Sequence, residues 1–303
     1  MRISVLLNPN AAAGRTRRLL PSIKRRLAPT GHQFEWITTQ SGDEMRAAIL
    51  HAKRNGADAL LLVGGDGTVH QALPAIEACG LPFGLLPCGR GNDFARNINI
   101  PLRLADCLQI EAPTASQIDL PSVNGRPFGS IACLGFDATV NRLASDGRGY
   151  FGGSLGYVVC VVKALREFRP FEVELRIDGH RWRGRIMMVA VANGPYYGGG
   201  MKIAPAARMS DGVLDLCVVK EVSRSALLRS FPKVFRGRHT SHPDVEMMTG
   251  THIAIASDED RAIFADGELI GRTPAVCTVG DRRIQILRPG PARADLPGTL
   301  PVP

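Results

Sequence analysis

Three glycine-rich turns and one short acidic turn hold the residues of this chain best suited to chemistry. The first three read Asn8-Pro9-Asn10-Ala11-Ala12-Ala13-Gly14, Gly64-Gly65-Asp66-Gly67-Thr68 and Pro87-Cys88-Gly89-Arg90-Gly91-Asn92-Asp93. Glycine permits close backbone approach, and a helix beginning just after such a turn offers unpaired N–H groups and partial positive charge. Each turn is therefore a candidate phosphate cradle. The sequence has no G-x-x-x-x-G-K-[ST], and no G-x-G-x-x-G follows the first strand, so a P-loop and a dinucleotide fingerprint are both excluded. Asp66 among its glycines is a poor turn residue for stability and a good metal or nucleotide contact; the competing reading makes it the N-cap of the next helix. The acidic turn, Asp266-Gly267-Glu268, sets two carboxylates close together after a short apolar strand. Taken alone, it reads first as a hairpin turn with a solvated Glu.

The elements that must position these turns follow from periodicity. Strand patterns over 3–7, 34–38, 59–63 and 83–86 alternate with helix patterns over 14–27, 43–55, 69–78 and 92–97. Continuous apolar strands separated by helices predict βαβ units and a parallel sheet buried on both faces. The glycine turns then fall at the carboxyl ends of strands, where such sheets open their ligand crevice. From about residue 115 strand patterns follow one another: 117–123, 127–134, 171–177, 182–192, 213–219, 245–248, 252–256, 262–264, 275–279 and 284–287. Helix patterns interrupt them only over 155–168 and 223–235. That succession predicts a mostly antiparallel β-sandwich. The expected organisation is an α/β domain over 1–114 completed by a segment near 280–290, a β-rich domain over 115–288, and a flexible tail over 289–303.

Composition narrows the partners. The net charge of +9 comes from 37 Lys and Arg against 28 Asp and Glu, which favours nucleotides, nucleic acids or anionic membrane surfaces. The 11 Phe, 4 Tyr and 2 Trp are not interleaved with basic residues and no reading module occurs, which argues against nucleic acid. Seven scattered cysteines without a C-x-x-C pair predict reduced thiols in a cytoplasmic protein. No run approaches the ~20 apolar residues of a membrane span, so membrane contact is expected to be peripheral, at the inner surface. Arg2, Arg15, Arg17, Arg18, Lys24, Arg25 and Arg26 form the densest basic cluster, a solvated helix face or a surface for phosphate or anionic lipid. His239 and His242 lack a third His or a thiol nearby and read as structural or site-lining residues rather than zinc ligands. A homodimer is left open.

These motifs together resemble a family. Gly-Gly-Asp-Gly-Thr is shared by the diacylglycerol kinase catalytic family, by NAD kinases and, with Ser for Thr, by phosphofructokinases. The Asn-Pro turn over 8–14 and the Pro87-to-Arg96 segment with its Asn92-Asp93-Phe94-Ala95-Arg96 select the first of these. Gly135-Phe136-Asp137-Ala138, the block over 193–215, the segment over 237–243 and Asp266-Gly267-Glu268 follow in family order. The sequence is similar to soluble bacterial-type diacylglycerol kinase-like lipid kinases, a group related to sphingosine and ceramide kinases. The resemblance implies an NAD kinase/phosphofructokinase-like α/β domain followed by a β-sandwich that carries the lipid acceptor.

The resemblance further implies ATP and Mg2+ as cofactors, a lipid substrate, and Asp266 as general base on the lipid hydroxyl with Glu268 beside it as a possible Mg2+ ligand. It assigns nucleotide contacts to Asn8, Pro9, Asn10, Ala11, Ala12 and Thr38, and to Gly64, Gly65, Asp66, Gly67, Thr68, Val69, His70 and Gln71. Arg90, Asn92 and Asp93 complete that set. A structural Mg2+ maps to Asp211 with the carbonyls of Arg208 and Val213, an oxygen-only set that suits Mg2+. Two positions depart from the family: His70-Gln71 stand where Asn-Glu is frequent, and Arg90 where Thr or Ser is frequent. Arg90 adds a cation able to clamp phosphate. A lipid acceptor needs an apolar pocket, with candidates over 155–165, 187–191 and at Met247-Met248. An NAD kinase and a non-catalytic nucleotide- or lipid-binding regulator are the alternative readings.

Overall fold

The computed structural model describes residues 1–9, 14–107, 114–136, 140, 163–164 and 168–288. Its first part runs β1 (Arg2–Leu7), α1 (Arg15–Leu27), β2 (Gln33–Thr38), α2 (Gly42–Arg54), β3 (Ala59–Gly64), α3 (Asp66–Cys79), β4 (Phe83–Pro87), α4 (Asp93–Asn97), α5 (Leu104–Cys107) and β5 (Thr114–Asp119). The second begins with β6 (Ser122–Val123), β7 (Arg126–Pro127), β8 (Ile131–Gly135), β9 (Phe171–Ile177), β10 (His180–Ala192), β11 (Tyr196–Tyr197), β12 (Met201–Lys202) and β13 (Leu214–Lys220). It ends with α6 (Arg224–Val234), β14 (Val245–Gly250), β15 (His252–Ser257), β16 (Ala262–Ala265), β17 (Glu268–Arg272), β18 (Ala275–Thr278) and β19 (Arg283–Arg288).

The first sheet has the order β2-β1-β3-β4-β19-β5, parallel except where β19 meets β5. Its central strand β3 is apolar up to Gly64 and buried at every position, as a strand covered on both faces must be. Helix α2 shows how the cover forms. Ser41 caps it by accepting from the Glu44 N–H, and Met45, Ala48, Ile49 and Ala52 bury one stripe against the sheet core. Strand order reverses between β1 and β3, so the turns after those strands flank the crevice where such sheets bind ligands.

The second sheet joins eleven strands, every pair antiparallel, around its own apolar cores. Two strand patterns are broken here. The run over 117–123 divides at Leu120-Pro121: β5 joins the first sheet and β6 the second. The run over 127–134 is interrupted at Phe128, Gly129 and Ser130, leaving main-chain amides free of the ladder. The helix expected over 155–168 falls almost wholly outside the described residues, as does the tail. The six described cysteines are free and buried. No helix among the described residues is long and apolar enough to cross a membrane.

Candidate active site

A cleft opens at the carboxyl edge of the first sheet, between its turns and the second sheet. Asp66, Asp93 and Asp266 converge on it, with Val69, Gly91, Phe94, Ser130, Ile131, Cys133, Tyr197 and Phe264 among its walls. Each carboxylate arrives differently.

Asp66 comes from the turn after β3. Gly65 is the N-cap of α3 and Asp66 the first helical residue, so the N-cap reading of Asp66 fails. Its Oδ1 instead accepts the Phe94 N–H at 2.9 Å, joining the turns after β3 and β4. Those turns touch backbone to backbone: a Cβ at Gly65 would lie 2.8 Å from the Gly89 Cα, so glycine is needed there for proximity. Asp93 begins α4, where Asn92, in the left-handed region, closes the preceding turn by accepting from the Gly89 N–H at 2.8 Å. Asp93 Oδ2 accepts from Gly199 N–H at 2.6 Å, and Asn97 exchanges two hydrogen bonds with the Tyr196 backbone. Helix α4 thereby fixes the tyrosine-glycine loop against the cleft.

Asp266 sits in the β16–β17 turn at φ +52°. Its carboxylate receives four donors: Gly129 N–H at 2.7 Å and His70 Nδ1 at 3.2 Å on Oδ2, Ser130 N–H at 2.8 Å and Ile131 N–H at 3.3 Å on Oδ1. The interrupted strand before β8 supplies the three amides. Asn193, fully buried, braces that interruption by donating to the carbonyls of Asp119 and Gly129 at 3.0 Å. Glu268 is exposed beyond the turn, its Oε1 4.0 Å from the position a Cβ would take on Gly67.

The electrostatics are those of a site short of positive charge. Burial raises the Asp66 carboxyl above its ordinary value, and the nearby Asp266 charge adds to the shift. Burial likewise pushes Asp93 up to about 6, with the Asp66 charge contributing, although Gly199 N–H and Arg96 oppose it. Asp93 Oδ1 is buried without a hydrogen-bond partner. Burial works to lower the His70 pKa, but the hydrogen bond and charge of Asp266, with the Glu268 charge, outweigh it and hold it above its ordinary value.

The remaining residues singled out in the sequence divide. Val69 lines the cleft, while Thr68 is buried over Gly64. Asn8 lies beside β3, its N–H 3.4 Å from the Val63 carbonyl, and Pro9 follows it; Asn10, Ala11 and Ala12 lie outside the described residues. Thr38 is exposed at the end of β2 opposite Leu7, Arg90 is exposed on its turn, and Gln71 packs beside Gly42 rather than towards Asp266. Arg208 and Asp211 are exposed and Val213 half-buried in a separate turn, where Asp211 Oδ1 accepts from Val213 N–H at 3.2 Å. Burial, then the Asp211 charge, raises neighbouring Asp215. No cluster of three or more His, Cys, Asp or Glu with metal-binding geometry occurs among the described residues. Sequence reasoning missed Gly129, Ser130, Asn97 and Asn193; the nearest signal was the Gly129-Ser130 pair inside a strand pattern.

Beside the cleft runs an apolar groove open to solvent, walled by Phe136, Val140, Met188, Met201, Ile203, Val219, Leu227, Phe231 and Val234. Tyr197 belongs to both cavities, and His239 and His242 line the groove. Burial lowers the His239 pKa, and its Nε2 lies 3.0 Å from the Ile203 carbonyl. Of the apolar segments singled out in the sequence, only Met188 is in this wall among the described residues.

Comparisons agree with this architecture. The diacylglycerol kinase catalytic domain model matches residues 2–123, and the YegS C-terminal NAD kinase beta sandwich-like domain model matches 130–288. A diacylglycerol kinase of Mycobacterium tuberculosis (strain ATCC 25618 / H37Rv) is 30% identical over 297 residues, 95% of each chain. One of Bacillus subtilis (strain 168) is 27% identical over 295 residues, 95% of this chain and 96% of that one. A crystal structure of a diacylglycerol kinase from Bacillus anthracis str. Sterne superposes with a TM-score of 0.73 at 20% identity, over 95% of this chain and 96% of that chain, a likeness of fold.

Proposed function

The chain belongs to the diacylglycerol kinase family, and on that premise we propose that it transfers the γ-phosphoryl group of ATP to a hydroxyl of diacylglycerol or a related lipid, with Mg2+ and with Asp266 as general base. The observation that carries this reading is one cleft holding Asp66, Asp93 and Asp266, with an apolar groove on the other side of Tyr197.

In the reaction, the bond from the γ-phosphorus to its bridging oxygen breaks and ADP departs. A new bond forms to the lipid oxygen, whose proton passes to the Asp266 carboxylate. Phosphoryl transfer asks little covalent chemistry of the protein, so position and charge carry the catalysis. The turns after β3 and β4 offer amides at the starts of α3 and α4 for phosphate oxygens. Asp66 and Asp93 fit a hard divalent cation: both are oxygen donors raised by burial, and Asp93 Oδ1, 3.7 Å from Arg96 Nε, lacks a hydrogen-bond partner. Mg2+ characteristically takes one or two carboxylates together with substrate phosphates, and when bound it would neutralise charge on the transferring group. A structural Mg2+ at Asp211 with the carbonyls of Arg208 and Val213 is part of the same reading, supported by the nearness of a second carboxylate, Asp215, which burial and the Asp211 charge raise above its ordinary value.

The groove supplies the acyl site, since a lipid acceptor must keep its chains out of water while its hydroxyl reaches Asp266. Helix α6 forms one wall with Leu227, Phe231 and Val234 and turns Leu228 and nearby Phe235 outward, 44% and 47% exposed. Arg224, Arg229, Lys233, Arg236 and Arg238 stand exposed around them, and no acidic residue occurs between 222 and 243. Such a face suits peripheral docking on an anionic bilayer.

The test is transfer from radiolabelled ATP to a panel of lipids, with the product identified by mass spectrometry. Wild-type protein should phosphorylate a lipid hydroxyl in a Mg2+-dependent manner, and Asp266→Asn should lose about 10²–10⁴ in rate. Undiminished transfer by Asp266→Asn removes the base assignment; absence of any phosphorylated lipid removes the function.

A further inference from the structure

His70 is among the residues that the family resemblance assigns to the nucleotide, yet its side chain goes elsewhere. It stands in the first turn of α3, four residues after Asp66, and reaches across to Asp266, 196 positions away, at 3.2 Å. The two side chains are 18% and 6% exposed.

The donors on Asp266 are not equivalent. A carboxylate offers about four lone-pair directions, and contacts of 2.7 to 3.2 Å from Gly129, Ser130 and His70 occupy three of them, which leaves the direction of the long Ile131 contact for a substrate proton. Ser130 and Ile131, which hold Oδ1, line the cleft; Gly129 and His70, which hold Oδ2, are not among its lining residues. The Oδ1 contact with Ile131 is the longest of the four, at 3.3 Å. Oδ1 is thus the oxygen whose partners border the cleft, and Oδ2 is the oxygen held from outside it. Three donors are main-chain amides of the loop before β8 and of the first residue of that strand. His70 is the one side chain among the described residues that donates to this carboxylate, and it comes from the helix following the Gly64-to-Thr68 turn.

We infer that His70 is a positioning residue for phosphoryl transfer: its Nδ1 holds Asp266 Oδ2 and so registers the acceptor-side carboxylate against the nucleotide-side helix. The inference rests on the function proposed above. It predicts that His70 acts on turnover rather than on binding, because it touches Asp266 and is not part of the cleft wall. A displacement of about 1 Å at a reacting group costs on the order of 10²-fold in rate. The charged groups that face His70 are Asp266 and Glu268 from the β16–β17 turn and Arg126 from β7.

Three variants separate the donor from the volume. His70→Leu keeps bulk without a donor and should lower kcat about 10²-fold, with KM for ATP and for lipid each within about threefold of wild type. His70→Asn carries its amide nitrogen where Nδ1 stands, in a residue of similar helix propensity, and should restore kcat to within about fivefold. His70→Gln carries the amide one bond too far and should remain as slow as His70→Leu. A His70→Leu enzyme with wild-type kcat overturns the proposal, as does His70→Asn no faster than His70→Leu at equal melting temperature.

A second measurement needs no turnover. NMR titration of the His70 ring should give a pKa that falls when Asp266 becomes Asn, since burial then meets less opposing charge. An identical titration in Asp266→Asn protein overturns the contact whatever the activity. A wild-type protein that phosphorylates no lipid, but shows the drop, overturns the function proposed above while retaining the His70–Asp266 registration.

Discussion

The cleft and the groove share Tyr197 and adjoin the same sheet, yet they are built on opposite principles. The groove is walled by apolar side chains, whose burial from water favours folding. The cleft gathers three carboxylates, and two of them, Asp66 and Asp93, are held above their ordinary pKa values chiefly by burial. Its polar geometry is fixed mainly by main-chain amides, with Phe94, Gly199, Gly129, Ser130 and Ile131 all donating, and His70 adds a side-chain donor on Asp266. The difference teaches that one cavity is stable as it stands, while the other is costly for as long as its buried carboxylates carry charge.

Breaking the comparison at its most polar point should have the largest effect. Asp266→Asn should abolish nearly all transfer, by about 10²–10⁴-fold, while lipid still binds the groove, as equilibrium binding of a fluorescent lipid would register. Next comes Asp93. Its folded pKa, raised to about 6, means the native protein holds a proton that the unfolded chain has already released between about pH 4 and 6. Stability from this group is therefore present at low pH and lost as pH rises through 6, amounting to about 3 kcal/mol. In metal-free buffer Asp93→Asn should melt higher than wild type at pH 7.5 and lose that advantage at pH 4.5, while lipid phosphorylation falls. An equal shift in melting at both pH values would contradict the picture of a destabilising charge.

The groove should respond in the opposite sense. Leu227→Asp or Phe231→Asp should raise KM for long-chain lipid by about 10–100-fold, the burial energy of one such side chain, and leave ATP affinity unchanged. If ATP affinity fell with lipid affinity, the two cavities would not be separable. The smallest effect is expected outside both. Leu228→Ser with Phe235→Ser should weaken sedimentation with phosphatidylglycerol vesicles several-fold, more strongly at high salt, and leave turnover of a short-chain, water-soluble lipid intact.

Much of this comparison was legible in the residues. Continuous apolar runs such as Ala59–Gly64 forced buried parallel strands, and the glycine turns had to fall at their carboxyl ends. Asp66 and Asp93 were marked by the turns that contain them, and Asp266 by its place in an ordered family of motifs. The second, antiparallel sheet was marked by its succession of short strands. These are local properties, set by periodicity, turn chemistry and capping, and a chain displays them before it folds.

Contacts between distant segments were not legible in this way. The pattern over 127–134 looked like one strand, because nothing local distinguishes amides kept for the ladder from amides turned to receive Asp266. His70 looked like a nucleotide contact because it follows the Gly64-to-Thr68 turn, until the fold carried it to a turn 196 residues away. The groove combines β10, β13 and α6 with the 3-10 turn Arg238–Ser241, so its shape exists only once those elements pack. Sequence by itself determined the two sheets and where the carboxylates and the glycine turns would lie. Tertiary structure alone decided which hydrogen bonds hold Asp266, since long-range donors are chosen by packing and not by spacing along the chain.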